Sequence, residues 1–172
     1  MQPVLPAEDV KTLCKEFKKD LYLSKEDISQ IEQETRDQSN DSSGRWKYLR
    51  RCRLTASNFG MICKRRKSTR VAGAVKSLLY SSLSCNVPSL RWGRENETVA
   101  RESYESEMKA GQNPVVTKRA GLVISEEKGF LGCSPDDWVQ DKSVRDQDGV
   151  AEYKCPYSAH EFTPQEACTL AL

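Results

Sequence analysis

The sequence predicts an α/β chain of the α+β kind, with a mixed β-sheet flanked by helices. Apolar residues at helical spacing recur through residues 7–109, and short alternating runs cut by polar turns occupy residues 114–155. Several helices followed by a cluster of strands is the pattern of an α+β domain. The length of 172 residues lies within the roughly 100–200 typical of one domain. No internal repeat is visible.

The elements follow in order. Residues 7–36 read as helical, because Val10, Leu13, Phe17 and Leu21 recur at spacings of three and four. Ser24 opens a second helical stretch, where Asp27 completes a loose capping box and Ile28 and Ile31 make a short apolar stripe. The polar run 37–44 (DQSNDSSG) is the best boundary, so residues 1–44 form an acidic helical segment and linker and residues 45–172 the main domain. Arg45–Arg53 reads as a helix or turn, Thr55-Ala56-Ser57 opens a helix through about Cys63, and residues 64–70 make a basic loop. A further helix is expected over 71–82, then a loop around Pro88, then a helix over 92–109 with Val99, Ala100, Ser103 and Tyr104 on one side. Strands are expected over 114–125, 130–133, 138–140 and 150–155, with charged turns ending at Gly129 and Gly149.

Charge is distributed in blocks. Residues 1–41 carry ten acids and six bases, residues 42–94 thirteen bases and no acid, and residues 95–172 fifteen acids and eight bases. An acid-free stretch of that length, holding Trp46, Tyr48, Tyr80 and Trp92, suits a folded surface that attracts a polyanion such as DNA. The acidic block after it would repel phosphate unless metal ions or neighbouring bases offset it.

The longest apolar run, around Val71–Val75, is far short of the roughly 20 residues that cross a bilayer. The first ten residues lack the basic-then-apolar layout of a secretory signal. The seven cysteines include no C-x-x-C pair and have one histidine for company, which reads as free thiols rather than zinc or disulfides. An intracellular protein is expected, in nucleus or cytoplasm, with no membrane partner.

The strand cluster brings chemistry together. On a strand, residues i and i+2 share a face, so Glu152 and Lys154 are expected side by side, with Asp136 at the neighbouring strand. Two carboxylates and an ammonium at one sheet edge match a magnesium site, which takes one or two carboxylates and completes its shell with water and substrate phosphate. The plainer readings are a solvated Glu–Lys pair and, for Asp136, a turn residue after Pro135.

Four blocks in order, WKYLRRCRLTAS (46–57), WGRENETVARESYE (92–105), CSPDD (133–137) and EYKCPYS (152–158), resemble the YqaJ-type viral recombinase family, which is related to lambda exonuclease within the PD-(D/E)XK nuclease superfamily. The resemblance spans roughly residues 45–160. It implies a restriction-endonuclease-like core and a metal-dependent DNA exonuclease, using Mg²⁺ or Mn²⁺ as one or two ions on duplex ends in recombination or repair-type processing. It implies that Asp136, Glu152 and Glu97 are metal ligands, with the Tyr153 carbonyl as a further donor, and that Lys154 orients or helps deprotonate the attacking water. Arg50 and Ser57 take the places that bind the 5′-terminal phosphate, and one of Lys64, Arg65, Arg66 and Lys67 takes the place of a further phosphate-contacting arginine.

The residues also admit plainer roles. Arg50 can be a surface arginine, Ser57 a helix N-cap, and Glu97 a partner of Arg94 or Arg101 on its own helix. Trp92 and Trp138 read as core, and His160 as an exposed loop residue. The family continues past EYKCPYS with a helix whose Gln faces the site and with further strands and helices. Residues 162–172 contain no Y-x-x-Q-x-Q stretch, so the resemblance implies a core incomplete at its C-terminus. The alternative function is therefore a catalytically inactive DNA-binding or interaction module derived from such a nuclease. An oligomer is compatible with the family, since lambda exonuclease is a ring of three.

Overall fold

The computed structural model describes residues 6–36, 44–51, 53–80 and 87–170. The first elements are α1 (Ala7–Asp20), α2 (Lys25–Glu34), α3 (Arg45–Arg51), β1 (Leu54–Thr55), α4 (Ala56–Cys63), α5 (Ala72–Tyr80) and α6 (Pro88–Ala110). They are followed by β2 (Val115–Arg119), β3 (Val123–Ile124), β4 (Leu131–Cys133), β5 (Asp137–Asp141), β6 (Asp148–Ala151), a 3-10 turn (Tyr157–Ala159) and α7 (Pro164–Leu170). This is the mixed α/β class expected, with its strands in two three-stranded sheets, β1-β4-β3 and β2-β5-β6. The chain divides into two compact units, Met1–Ser81 with Arg119–Pro135 and Ser82–Lys118 with Asp136–Leu172. The expected linker lies, up to residue 43, outside the described residues, as do Cys52, Cys85 and residues 81–82 of the expected third helix.

In the first unit, α2 begins at the capping box. The Asp27 amide donates to Ser24 Oγ at 3.0 Å, and that hydroxyl donates back to the Asp27 carboxylate at 2.8 Å. Ile31 on its inner face packs with Leu122 and Ile124, bordered by Leu23, Ile28, Trp46 and Leu49. By contrast, the stripe of α1 (Val10, Leu13, Phe17) is exposed, and only Leu21 beyond the helix end is buried.

The sheet of this unit is mixed. β1 runs parallel to β4 with Leu54 opposite Leu131, and β3 runs antiparallel to β4 with Val123 opposite Cys133. Buried Arg53 ties its edge to the helices, donating to the carbonyls of Gly129 (2.8 Å), Leu49 (3.1 Å) and Leu21 (3.3 Å). These three bonds satisfy a guanidinium that would otherwise be costly to bury.

The strand expected over 114–125 is two strands, β2 and β3, interrupted at residues 120–122. The interruption has a cause. The Gly121 amide donates to Glu32 Oε1 at 3.0 Å and the Leu122 amide to Thr35 Oγ1 at 2.8 Å, so both donors leave the ladder for the end of α2. A Cβ at Gly121 would stand 1.9 Å from the Glu32 carbonyl oxygen, so only glycine permits this approach. Thr35, itself buried, also donates to the Ile31 carbonyl at 2.6 Å. Replacing it by valine keeps the shape and strands the Leu122 amide. Thr35→Val is therefore expected to cost about 1–3 kcal/mol, read as a lower urea midpoint with unchanged slope; an unchanged midpoint would contradict this account.

In the second unit, α6 starts at Pro88, four residues earlier than the sequence suggests. Proline suits the first turn of a helix, where its missing N–H removes a donor that has no partner anyway. The hairpin β5–β6 pairs Asp137 with Ala151, Trp138 with Val150, Val139 with Gly149 and Gln140 with Asp148. β6 ends at Ala151, so the strand expected over 150–155 is corrected: residues 152–156 have no ladder. The Tyr153 amide instead donates to an Asp136 carboxylate oxygen at 2.5 Å, and Pro156 has no amide to offer. Trp92 and Trp138 are half-buried, and exposed His160 closes the 3-10 turn.

Among the described residues, Cys14, Cys63, Cys133, Cys155 and Cys168 are not joined in disulfides. No described helix is long and apolar enough to cross a membrane.

Candidate active site

The acidic cluster belongs to the second unit. Asp136 lies just before β5, where its backbone amide donates to the Ala151 carbonyl at 3.1 Å while its side chain accepts from the Tyr153 amide. Those two bonds lock it to the segment leaving β6, the segment that carries Glu152 and Lys154. The Lys154 ammonium pairs with the Glu152 carboxylate, so the side-by-side placement expected for them holds although neither residue lies on a strand.

Electrostatics link these groups to α6. Burial raises the Asp136 carboxyl above the usual range, against the Tyr153 amide, which lowers it; the Glu152 and Glu97 charges raise it further and Lys154 lowers it. Lys154 is pushed up chiefly by its bond to Glu152, against partial burial, with the Glu152, Asp136 and Glu97 charges adding to the shift. Lys154 is thus held as an ammonium. Burial, together with Glu97 and Asp136, also raises the Cys155 thiol, which makes it a poor nucleophile.

The donors are hard oxygens, the kind that suit Mg²⁺ or Mn²⁺. Among the described residues, however, no group of three or more His, Cys, Asp or Glu side chains stands close enough to hold a metal ion. Carboxylates with no cation between them repel, and Glu152 takes the lysine as its partner. One or two carboxylates suffice for magnesium, so the donor chemistry fits the ion although the three acids are not drawn into a single ligand set.

Sequence reading overlooked the layer beneath this cluster. The Tyr153 hydroxyl donates to Asp137 Oδ2 at 3.0 Å, and Arg101 stands 3.8 Å from Asp137 Oδ1. Burial and the Asp137 carboxylate push the Tyr153 phenol far above its ordinary range. The Tyr104 ring lies 6.4 Å from that of Tyr153, and Glu105 accepts from Thr117, fastening α6 to β2. The spacing Glu97, Arg101, Tyr104 is the one available signal, since residues three and four apart share a helix face.

The second group of expected residues belongs to the first unit. The Arg50 guanidinium lies over the Trp46 ring, 4.3 Å from its centroid, and donates to Ser57 Oγ at 3.5 Å. Ser57 shares a further hydrogen bond with Thr55 (3.0 Å), which also accepts from Asn58 at 3.2 Å. Arg50 and Ser57, seven residues apart in sequence, are therefore neighbours. Thr55 rather than Ser57 occupies the N-cap of α4, and it makes no side-chain cap bond, which leaves the first-turn amides of α4 without that acceptor. A cleft of about 120 Å³ beside this pair is lined by Lys47, Arg50, Arg51, Arg53, Thr55 and Asn58.

Lys64 caps the other end of α4, and Arg65 and Arg66 lead from it to a turn that begins at Lys67; all but half-buried Arg65 are exposed. Lys64 is seven positions on from Ser57, at about 1.5 Å each, so this run begins on the order of 10 Å from Ser57.

The model of one protein family, the YqaJ-like viral recombinase domain, matches residues 45–168, a span that includes every residue of both clusters. No curated protein matches the sequence.

Proposed function

The chain belongs to the YqaJ-like viral recombinase domain family, and from that premise we propose that it is a metal-dependent DNA exonuclease. It would hydrolyse phosphodiester bonds at duplex ends, recognise a 5′ phosphate, and serve recombination or repair-type processing. The observation that carries the proposal is geometric: Asp136 is tied through its amide to Ala151 and through its carboxylate to the Tyr153 amide, on the same segment where Glu152 and Lys154 pair.

In this reading Asp136 and Glu152, with Glu97 and the Tyr153 carbonyl, hold one or two Mg²⁺ or Mn²⁺ ions. A bound divalent cation supplies Lewis-acid stabilisation of charge on the phosphoryl oxygens. The ammonium of Lys154 orients the attacking water and offsets the added negative charge. Water attacks phosphorus in line, one P–O bond forms and one breaks, the water loses a proton to solvent and the leaving alkoxide gains one. Arg50 and Ser57 grip the terminal phosphate through charge-assisted hydrogen bonds.

A second reading, an inactive DNA-binding module, is favoured by the Lys154–Glu152 pair and the unassembled ligand set. Linear duplex DNA with and without a 5′ phosphate separates the two. The nuclease shortens it in Mg²⁺, faster with the phosphate, and stops in EDTA. Binding that weakens steeply with salt, with no shorter products in Mg²⁺ or Mn²⁺, overturns the proposal.

A further inference from the structure

We infer that Asp137 and Arg101 are positioning residues: Asp137 clamps Tyr153 and pairs with Arg101 on α6, and together they set the aim of Asp136 and Glu97 toward a divalent cation. The inference rests on the function proposed above and adds residues that the four sequence blocks did not assign.

Two consecutive aspartates hold one tyrosine at both ends. The Asp136 carboxylate accepts from the Tyr153 backbone amide at 2.5 Å, and the Asp137 carboxylate accepts from the Tyr153 hydroxyl at 3.0 Å. Neighbouring residues entering a strand face opposite sides, so Asp136 remains half-buried at the site while Asp137, at 0% exposure, points inward.

A fully buried carboxylate is expensive unless paired. Here the compensation is incomplete: Oδ2 has the tyrosine, while Oδ1 has no hydrogen bond among the described residues and only the Arg101 guanidinium 3.8 Å away. Hydrophobic packing would hold Tyr153 more cheaply, so a charge here points to a geometric task. Arg101 lies one turn beyond Glu97 on α6, and its pairing with Asp137 sets the rotation of the helix and with it the direction of Glu97. Asp137 thus braces two of the three acids while touching neither substrate nor ion. Partners of this kind behind a ligand are worth about 10–100-fold in metal affinity.

The test compares the parent chain with Asp137→Asn and Tyr153→Phe. The phenylalanine removes one oxygen, keeps the ring and the backbone carbonyl, and carries the result if the asparagine variant does not fold. Mn²⁺ affinity is measured by electron paramagnetic resonance of the free ion, and cleavage of 5′-phosphorylated linear duplex is followed across a Mg²⁺ titration. Both variants are expected to bind Mn²⁺ about tenfold or more weakly and to need correspondingly more Mg²⁺. The KM for DNA should be unchanged, and the rate should recover at saturating Mg²⁺, which a collapsed site would not allow. Variants that match the parent in Mn²⁺ affinity and Mg²⁺ dependence overturn this inference and leave the nuclease standing. A parent that neither binds Mn²⁺ nor cuts DNA overturns both.

Discussion

Lys154→Ala and Asp136→Ala are expected to abolish DNA cleavage while leaving DNA affinity within a few-fold of the parent. Lys154 pairs with Glu152 beside Asp136, and Asp136 is the acid tied by its own backbone and side chain to the segment bearing Glu152 and Lys154. Removing the ammonium takes away the charge facing the phosphoryl group, a change worth about 10²–10³-fold in rate for comparable electrostatic groups. It also releases Glu152 from its ion pair, so the two effects combine. Removing Asp136 would delete a proposed metal donor and leave the Tyr153 amide without its acceptor, so its loss should be at least as large. Degradation of end-labelled duplex, measured beside fluorescence anisotropy on the same DNA, checks both. Cleavage at the parental rate in either variant would refute the assignment of the site.

Arg50→Ala is expected to erase most of the preference for 5′-phosphorylated ends. Hydrogen bonds to charged groups contribute about 1.5–3 kcal/mol, so the ratio of rates on phosphorylated and unphosphorylated ends should fall about ten- to a hundredfold, with the rate on 5′-hydroxyl ends nearly unchanged. Arg50→Lys should restore only part of it, because lysine keeps the charge but neither the two-pronged donor nor the flat face that rests on Trp46. Ser57→Ala should have a smaller effect in the same direction, since a neutral hydroxyl makes the weaker bond and Thr55 stands beside it. A ratio unchanged in Arg50→Ala would remove the terminal-phosphate role from this cleft.

The pairing of Glu152 with Lys154 was legible in the sequence, and the residues show why. Arg50 and Ser57, which the family resemblance brought together, are seven apart and meet where β1 lies between α3 and α4. Glu152 and Lys154 are two apart and stay side by side whether or not a ladder continues through them. Asp137 carries no signal of its own in the CSPDD block beside Asp136, yet it is among the most buried residues described. The stripe of α1 misleads in the opposite way: its spacing makes a helix, yet its apolar side chains remain exposed.

By itself the sequence determined the α+β class, most of the helices, the family, and which side chains bear charge at the two clusters, but neither the start of α6 nor the presence of α7. Those properties arise from contacts three or four residues apart and from residue types, which any local stretch encodes. Tertiary structure alone decided that Glu32 and Thr35 on α2 take the amides of Gly121 and Leu122, nearly ninety positions away, and so break one expected strand into two. It likewise decided that Arg101 turns to Asp137 and that Tyr153 links the two aspartates. A buried donor or acceptor must find a partner somewhere, and which distant group supplies it depends on how the elements pack, a property no local stretch contains.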